Sequence, residues 1–285
     1  MPGQRDRVMW DNIRITILVD NQAGEGLSAE HGLSLLIEVE NRRILFDTGQ
    51  GGALTSNAQK LVIDLEKIDT LVVSHGHYDH TGGISGVYRL TSDIDIYCHP
   101  AAILPRYGMS NGQSKPLGMP GSALAALDRI PSCKVHWVHK GTDLSRNIGL
   151  TGPIPQETDY EDTGERFFLD PESKRPDFIE DDMALWINTP KGPVVCVGCC
   201  HAGLVNTLNH VRRLSGSARI RAVIGGFHLL LADDLRVGRT IDFLRSLSPE
   251  LIVPCHCTGD RVVQSMQEVL GDRVSAGRSG AVYLF

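Results

Sequence analysis

Three histidines and one aspartate lie within six positions at the end of an apolar run. They are His75, His77, Asp79 and His80, in the stretch LVVSHGHYDHTGG. Imidazole nitrogen and carboxylate oxygen both bind zinc, iron or manganese. Because alternate residues of an extended segment point to one side, His75 and His77 can share one ion. Asp79 and His80 follow where a turn begins, so they can face a second ion, as two-metal hydrolytic sites require.

Other apolar runs also end in a residue suited to such a site. They end at Asp47 in LFD, at Cys199 and His201 in VVCVGCCH, at His228 in AVIGGFH and at His256 in LIVPCH. Strand ends hold ligands rigidly, so we expect His201 and His256 to be metal ligands. Cys199 is either an alternative ligand or a packed apolar residue. His228 is a ligand, a general acid or a buried histidine, and Asp47 orients a ligating histidine.

The remaining candidate side chains have a weaker sequence context. His99, His136 and His139 are expected to be structural. Arg106 and Lys115 lie in a Pro/Gly-rich region. Each is either a contact for an anionic substrate or a solvated surface charge.

Composition favours a small-molecule partner. The chain has 285 residues, with 28 Lys and Arg against 34 Asp and Glu, a net charge of −6 with His counted neutral. Such a charge offers no general footprint for nucleic acid or an anionic membrane. No stretch reads as a signal peptide or as eighteen uninterrupted apolar residues. Five of the seven cysteines crowd into CVGCC and CHC, which favours a reducing cytoplasm over a disulfide framework.

The order of elements predicts a sheet-centred α/β architecture with helices as outer layers. Strand candidates open the chain, and the runs at 33–40 and 43–49 are spaced as a hairpin. A second hairpin is predicted at 184–198, after which strands alternate with helices. Between them, residues from about 100 to 176 are rich in Pro and Gly and contain one strand candidate, KVHWV. We expect a single domain over 1–285 with a loop-rich insertion at about 100–176.

The motif HGHYDHTGG resembles the His-x-His-x-Asp-His signature of the metallo-β-lactamase superfamily. Further segments, among them GPIPQETDYE, GCCHAGLVN and PCHCTG, are similar to a branch of metal-dependent hydrolases related to dihydropterin ribofuranosyl-aminobenzene phosphate synthases. The resemblance spans nearly the whole chain. It implies a four-layer αββα sandwich with a dinuclear site at one edge.

The resemblance also implies a division of the ligands. His75 and His77 would hold one ion, while Asp79, His80 and His256 would hold the other. The superfamily usually adds one more histidine and a bridging aspartate, and this sequence departs from that pattern at both places. Either His201, Cys199 or an acidic residue of the trio Glu180, Asp181 and Asp182 takes the bridging place, or one of the two metal sites is weak.

The leading interpretation is therefore a metal-dependent hydrolase of a small phosphoester, ester or lactone. Two divalent ions are expected, zinc first, with iron or manganese as alternatives. Asp79 and His228 are the predicted catalytic residues, Asp79 orienting the attacking water and His228 protonating the leaving group. Three alternatives stay open: a pterin-linked transferase, an iron-dependent redox protein and a metal-binding module without catalysis.

Overall fold

The structure is a computed structural model that describes residues 13–110 and 112–285. Its strands are β1 (Arg14–Val19), β2 (Ser34–Val39), β3 (Arg42–Phe46), β4 (Thr70–Val72), β5 (Asp95–Cys98), β6 (Tyr107–Ser110), β7 (Gln113–Pro116), β8 (Val135–Trp137), β9 (Thr142–Asp143), β10 (Ile148–Leu150), β11 (Phe167–Phe168), β12 (Pro176–Asp177), β13 (Ala184–Ile187), β14 (Val194–Val197), β15 (Ala222–Gly226), β16 (Leu251–Cys255) and β17 (Val282–Leu284). Its α-helices are α1 (Leu54–Lys60), α2 (Tyr78–Thr81), α3 (Ile84–Leu90), α4 (Gly121–Arg129), α5 (Leu204–Ser215), α6 (Asp234–Leu247) and α7 (Asp260–Leu270). Short 3-10 helices lie at Leu65–Lys67, Pro100–Ile103, Ser132–Lys134, His256–Thr258 and Gly271–Arg273. None of these helices is long and apolar enough to cross a lipid bilayer.

The first large sheet has the strand order β17-β1-β2-β3-β4-β5-β8. Its first four strands pair antiparallel, and β3, β4, β5 and β8 pair parallel. The predicted hairpin between the second and third strands is confirmed. Its two-residue turn, Glu40 and Asn41, has φ values of 53° and 63°. Two positive φ values match the right-handed twist of the strands that such a turn connects.

The second large sheet has the order β16-β15-β14-β13-β10-β9. Strands β14, β15 and β16 are parallel, while β13 pairs antiparallel with β14 and with β10. The predicted hairpin at 184–198 is confirmed, with Ala184 opposite Val197 and Ile187 opposite Val194. Each parallel strand therefore ends at the same edge of this sheet.

Three apolar cores separate four layers. The core between the sheets contains Ile15 and Phe46 from the first sheet and Leu185 and Val253 from the second. A second core lies between the first sheet and α1, α3 and α4. The third lies between the second sheet and α5, α6 and α7. The predicted αββα sandwich is therefore confirmed.

Residues 100–176 contain more regular structure than the loop-rich insertion that the sequence predicts. Helix α4 packs on the first sheet, β8 extends that sheet, and β9 and β10 extend the second. Strands β6, β7, β11 and β12 form a separate small sheet in the order β12-β11-β6-β7. The strand candidate KVHWV is confirmed as β8. The other strands of this region have two to four residues, which carry too few alternations to be recognised by periodicity, so the sequence did not predict them.

Candidate metal centre

Metal-capable side chains follow the carboxyl ends of strands in both large sheets. In the first sheet, β3 leads to Asp47 and β4 leads to the turn that contains His75. In the second, β14, β15 and β16 lead to Cys199, His228 and His256. Because the two sheets share one core, these ends meet at one edge of the sandwich. A rigid scaffold of strands thus positions the site from both sides.

Hydrogen bonds to oxygen atoms fix the ring orientation of two buried histidines. His80 Nδ1 lies 2.7 Å from Asp47 Oδ2. His201 Nδ1 lies 3.2 Å from the carbonyl oxygen of Thr163. A carboxylate and a carbonyl accept hydrogen bonds, so each Nδ1 donates and each Nε2 can present a lone pair to a metal ion.

The same arrangement orients two more histidines. Ser74 Oγ donates to Asp47 Oδ2 at 2.6 Å, so its oxygen accepts from His75 Nδ1 at 2.9 Å. His256 Nδ1 donates to Asn21 Oδ1 at 2.8 Å. Metal-ligating histidines characteristically donate their other ring nitrogen to an oxygen in this way. Asp47 therefore orients one histidine through Ser74 and contacts another directly, as the sequence predicts for this aspartate.

Two overlapping groups of ligand atoms result. His75, Cys199 and His201 each place one such atom within 4.8 Å of the others, and so do His80, Cys199 and His256. The distance from His80 Nε2 to Cys199 Sγ is 3.1 Å. Cys199 belongs to both groups, so its sulfur is placed between them.

His77 and Asp79 extend the two groups. His77 Nδ1 lies 3.0 Å from His75 Nε2, and the ring centroids of His77 and His201 are 4.9 Å apart. Asp79 Oδ2 lies 3.2 Å from His256 Nε2. The structure therefore brings together all six residues that the sequence suggests as metal ligands.

Burial sets the protonation of these rings. Desolvation and nearby positive charges lower the pKa of His75, His77 and His201, so these rings are neutral at pH 7. Burial also lowers the pKa of His80, but nearby carboxylates, with Asp47 the strongest, raise it to about 9. A cation at His80 must replace the Nε2 proton, so metal binding at this ring releases a proton.

The donor set suits a divalent transition metal. The Nε2 atoms of His77 and His201 are buried and have no hydrogen-bond partner among the described residues. An unpaired buried acceptor costs free energy, and a bound cation removes that cost. Imidazole and thiolate donors match zinc or iron, whereas magnesium and calcium prefer oxygen.

The acidic trio has other partners. Glu180 is exposed. Asp181 Oδ2 accepts the backbone N–H of Gly76 at 2.7 Å, and Asp182 Oδ2 accepts that of Ala202 at 2.8 Å. None of the three belongs to a group of potential ligands in the described residues. Among the alternatives for the bridging place, Cys199 alone belongs to both groups of ligand atoms in the described residues.

Arg106 is committed to an internal ion pair. It is 1 % exposed, and its Nε and Nη1 donate to Asp177 Oδ2 at 2.8 Å and to Asp181 Oδ2 at 2.9 Å. Both alternatives predicted for Arg106, a substrate contact and a solvated charge, are therefore wrong, because two buried carboxylates occupy its guanidinium. Lys115 lies exposed on β7.

His228 lies beside the first group. Its ring centroid is 4.3 Å from that of His201, and its backbone N–H donates to Cys257 Sγ at 3.3 Å. With Cys199 and Cys257 it forms a further group of potential ligands. Its position fits both a ligand and a general acid, the two functional roles predicted for it.

The histidines predicted to be structural lie outside these groups. His136 Nε2 pairs with Asp95 Oδ1 at 2.7 Å, on β8 and β5 of the first sheet. His99 and His139 contact each other, with ring centroids 5.9 Å apart. None of the three belongs to a group of potential ligands in the part of the chain that the structure describes.

Two residues at the site were missed by sequence reasoning. Cys257 Sγ lies 3.3 Å from Cys199 Sγ, and its position next to the predicted ligand His256 was the available signal. His31 Nε2 lies 3.2 Å from Asp79 Oδ2. His31 follows β1 in an irregular loop and carries no local motif, so only the fold reveals it.

A covering segment, residues 159–167, packs against His201 and His228. The ring of Phe167 has its centroid 5.2 Å from that of His201. Gly164 packs against His228 so closely that a Cβ at this position would lie 2.1 Å from His228 Cδ2. Any larger residue than glycine would displace either the segment or the imidazole.

Four residues at the strand ends adopt the left-handed backbone conformation. The φ values are 61° at Asp47, 56° at Cys200, 48° at His228 and 50° at His256. For a residue other than glycine this conformation costs about 1–2 kcal/mol. Strain of this kind clusters at functional sites because the left-handed conformation points side chains in directions that a regular strand does not allow.

Comparison with known proteins agrees with the geometry. The family model described as the metallo-beta-lactamase superfamily matches residues 27–256, which span the strand ends from Asp47 to His256. The chain belongs to the metallo-beta-lactamase superfamily. The resemblance of its histidine motif is therefore confirmed, and the fold is that of the superfamily.

Two curated proteins similar to this chain come from Methanocaldococcus jannaschii. One, an uncharacterized protein, is 32% identical over 259 residues, covering 90% of this chain and 94% of the relative. The other is named 7,8-dihydropterin-6-methyl-4-(beta-D-ribofuranosyl)-aminobenzene-5'-phosphate synthase. It is 31% identical over 295 residues, covering 96% of this chain and 97% of the relative.

Solved structures give the same fold. A crystal structure described as a metal-dependent hydrolase of the beta-lactamase superfamily has a TM-score of 0.80 and 29% identity, covering 95% of this chain and 98% of its own. Zinc-bound PqqB from Methylobacterium extorquens has a TM-score of 0.57 and 12% identity, covering 95% of this chain and 99% of its own. At that identity, PqqB supports the fold alone.

Proposed function

We propose that this protein is a metal-dependent hydrolase that cleaves a small ester, a phosphoester or a lactone. The observation that carries the proposal is the set of four histidines, His75, His80, His201 and His256, whose Nδ1 atoms are each bonded to an oxygen. Their Nε2 atoms converge on two places that share Cys199. Two divalent cations, zinc first, fit this arrangement.

When bound, the cations would supply an acidic water and polarise the oxygen of the scissile bond. The side chains of the protein supply orientation and proton transfer. Asp79 Oδ2 lies between His31 Nε2 and His256 Nε2, at 3.2 Å from each, which holds its carboxylate toward the centre. Burial alone would raise the pKa of Asp79, but the neighbouring imidazoles lower it by more, so the pKa lies well below its ordinary value. The carboxylate is therefore ionised at neutral pH and can orient a water molecule by accepting a hydrogen bond from it.

His228 is the proposed general acid. Its backbone N–H donates to Cys257 Sγ, and its Nδ1 is buried without a hydrogen-bond partner among the described residues. A ring nitrogen that the protein leaves unpaired beside His201 is available to a leaving group. The seven free cysteines fit a reducing cytoplasm, where the Cys199 thiol stays available.

The test measures metal content and turnover on the same protein. Protein purified without added metal is analysed for zinc, iron and manganese, then assayed against chromogenic phosphoesters and lactones. Asp79→Asn should lower turnover at least about 100-fold, and His201→Ala should lose about one metal equivalent. His136→Ala, which removes a histidine outside the site, should change neither. Full turnover in Asp79→Asn would refute the proposed role of the carboxylate.

The synthase named for one Methanocaldococcus relative is the second candidate. Its support is 31% identity over 96% of this chain. The assay incubates a dihydropterin pyrophosphate with a ribofuranosyl-aminobenzene phosphate and looks for the joined product by mass spectrometry. Product formation without hydrolysis of esters would replace the first proposal with this one.

A further inference from the structure

A buried guanidinium near the histidines has two unpaired donors on one edge. Arg236 in α6 is 4 % exposed, and its Nη1 donates to Asp162 Oδ1 at 2.6 Å. Its Nε and Nη2 are buried and have no hydrogen-bond partner among the described residues. These two nitrogens form the edge of a guanidinium that binds a carboxylate or phosphate through two parallel hydrogen bonds. Because unpaired donors on a buried cation are costly, an oxyanion is the ligand that fits this edge.

The covering segment connects Arg236 to the candidate metal centre. Asp162 Oδ1 accepts from Arg236 and also from the backbone N–H of Gly164, at 2.8 Å. Gly164 in turn packs against His228, the proposed general acid. Thr240 lies one helical turn after Arg236, and its Oγ1 is also buried without a partner in the described residues.

We infer that the Nε and Nη2 edge of Arg236 binds an oxyanion group of the substrate, a phosphate or a carboxylate, close to His228. This inference rests on the proposed function and narrows its substrate class to anionic molecules. The side chain of Asp162 is 82 % exposed, so the carboxylate that pairs with Nη1 of Arg236 lies at the surface.

The role of Arg236 is to bind a group that does not react. Its loss should therefore raise KM more than it lowers kcat. Replacing it with lysine keeps one positive charge but removes the two-pronged edge, so affinity should fall even though the charge is retained.

The experiment measures binding of inorganic phosphate and of acetate by isothermal titration calorimetry, with metal-free and zinc-loaded protein. Arg236→Gln is compared with wild type and with Arg239→Gln. Arg239 is the matched control, since it lies on the same helix, is 45 % exposed and pairs with Asp159 at 3.0 Å. Thermal melting of each variant reports whether it is folded.

Metal-free wild type should bind phosphate or acetate, and Arg236→Gln should weaken that binding at least about tenfold. Arg239→Gln should bind as wild type does. The tighter of the two probes identifies the group as phosphate or carboxylate. If Arg236→Gln does not fold, Arg236→Lys replaces it, with a fall in affinity again expected.

Two results would overturn the inference: metal-free wild type that binds neither probe, and an Arg236 variant that binds as tightly as wild type. Ester hydrolysis measured on the same samples separates this inference from the proposed function. If Arg236→Gln loses probe binding and wild type shows no hydrolysis, the oxyanion site is supported and the proposed hydrolase function is refuted. Hydrolysis by wild type with probe binding that the Arg236 variant does not change refutes the oxyanion site alone.

Discussion

Arg106→Ala should destabilise the protein strongly, although the Arg106 side chain makes no hydrogen bond to a candidate metal ligand in the described residues. Its guanidinium donates to Asp177 and Asp181 and, at 3.3 Å, to the carbonyl oxygen of Ala101. Asp181 is fully buried and Asp177 is 8 % exposed. Removing the guanidinium leaves two buried carboxylates without their cation. Breaking a buried pair in this way costs about 3–5 kcal/mol.

The assay is equilibrium unfolding of the metal-free protein in guanidinium chloride. Arg213→Ala is the control, because Arg213 and Glu157 form an exposed pair, with side chains 49% and 51% exposed, and such pairs contribute about 0–1 kcal/mol. Adding Asp181→Asn to Arg106→Ala should restore part of the loss, since it removes one unpaired charge. A loss no larger in Arg106→Ala than in Arg213→Ala would refute the reasoning.

The same ion pair supports the histidine turn. Asp181 accepts the backbone N–H of Gly76, which lies between His75 and His77. Arg106→Ala should therefore also weaken zinc binding, measured by competition with a chromogenic chelator. Unchanged zinc affinity in a destabilised variant would show that the turn is held by other contacts.

Three more predictions concern single side chains. Asp47→Asn should weaken zinc binding roughly 10- to 100-fold because His80 loses its carboxylate partner; unchanged affinity in a chelator competition would contradict this. Burial raises the pKa of Asp182 to about 7, so its contribution to stability is full at low pH and is lost as the pH rises through 7. The free energy of unfolding of Asp182→Asn, relative to that of wild type, should thus rise by roughly 2–3 kcal/mol between pH 5 and pH 8. Chemical unfolding measures this difference at each pH, and a difference that does not change with pH would contradict the prediction. Phe167→Ala should open His201 to diethylpyrocarbonate, and a ring that mass spectrometry still finds unmodified would argue against a covering role.

The positions of the ligands could be predicted because they follow buried strands. Strands β4, β14, β15 and β16 are apolar along nearly their whole length, so the first polar residue after each marks an end. Parallel neighbours then bring these ends to one edge. For the same reason, the four layers could be predicted from the order of strands and helices.

The partners that orient those ligands could not be predicted. Asn21 and Thr163 bind the Nδ1 atoms of His256 and His201 from positions 235 and 38 residues away along the chain. Nothing in the local sequence distinguishes such an asparagine or carbonyl from any other. Arg106 was misread for a related reason, since its two carboxylates lie 71 and 75 residues further along.

The left-handed residues at the strand ends have a consequence for engineering this chain. Asp47, Cys200, His228 and His256 together hold roughly 4–8 kcal/mol of backbone strain, at about 1–2 kcal/mol each. A search for thermostable variants will find glycine or asparagine at these positions, because both relax the backbone. Two of the four are histidines at the site. Selection for heat resistance alone is therefore expected to replace residues of the metal site and to lower activity. A library meant to retain activity should keep these four positions fixed.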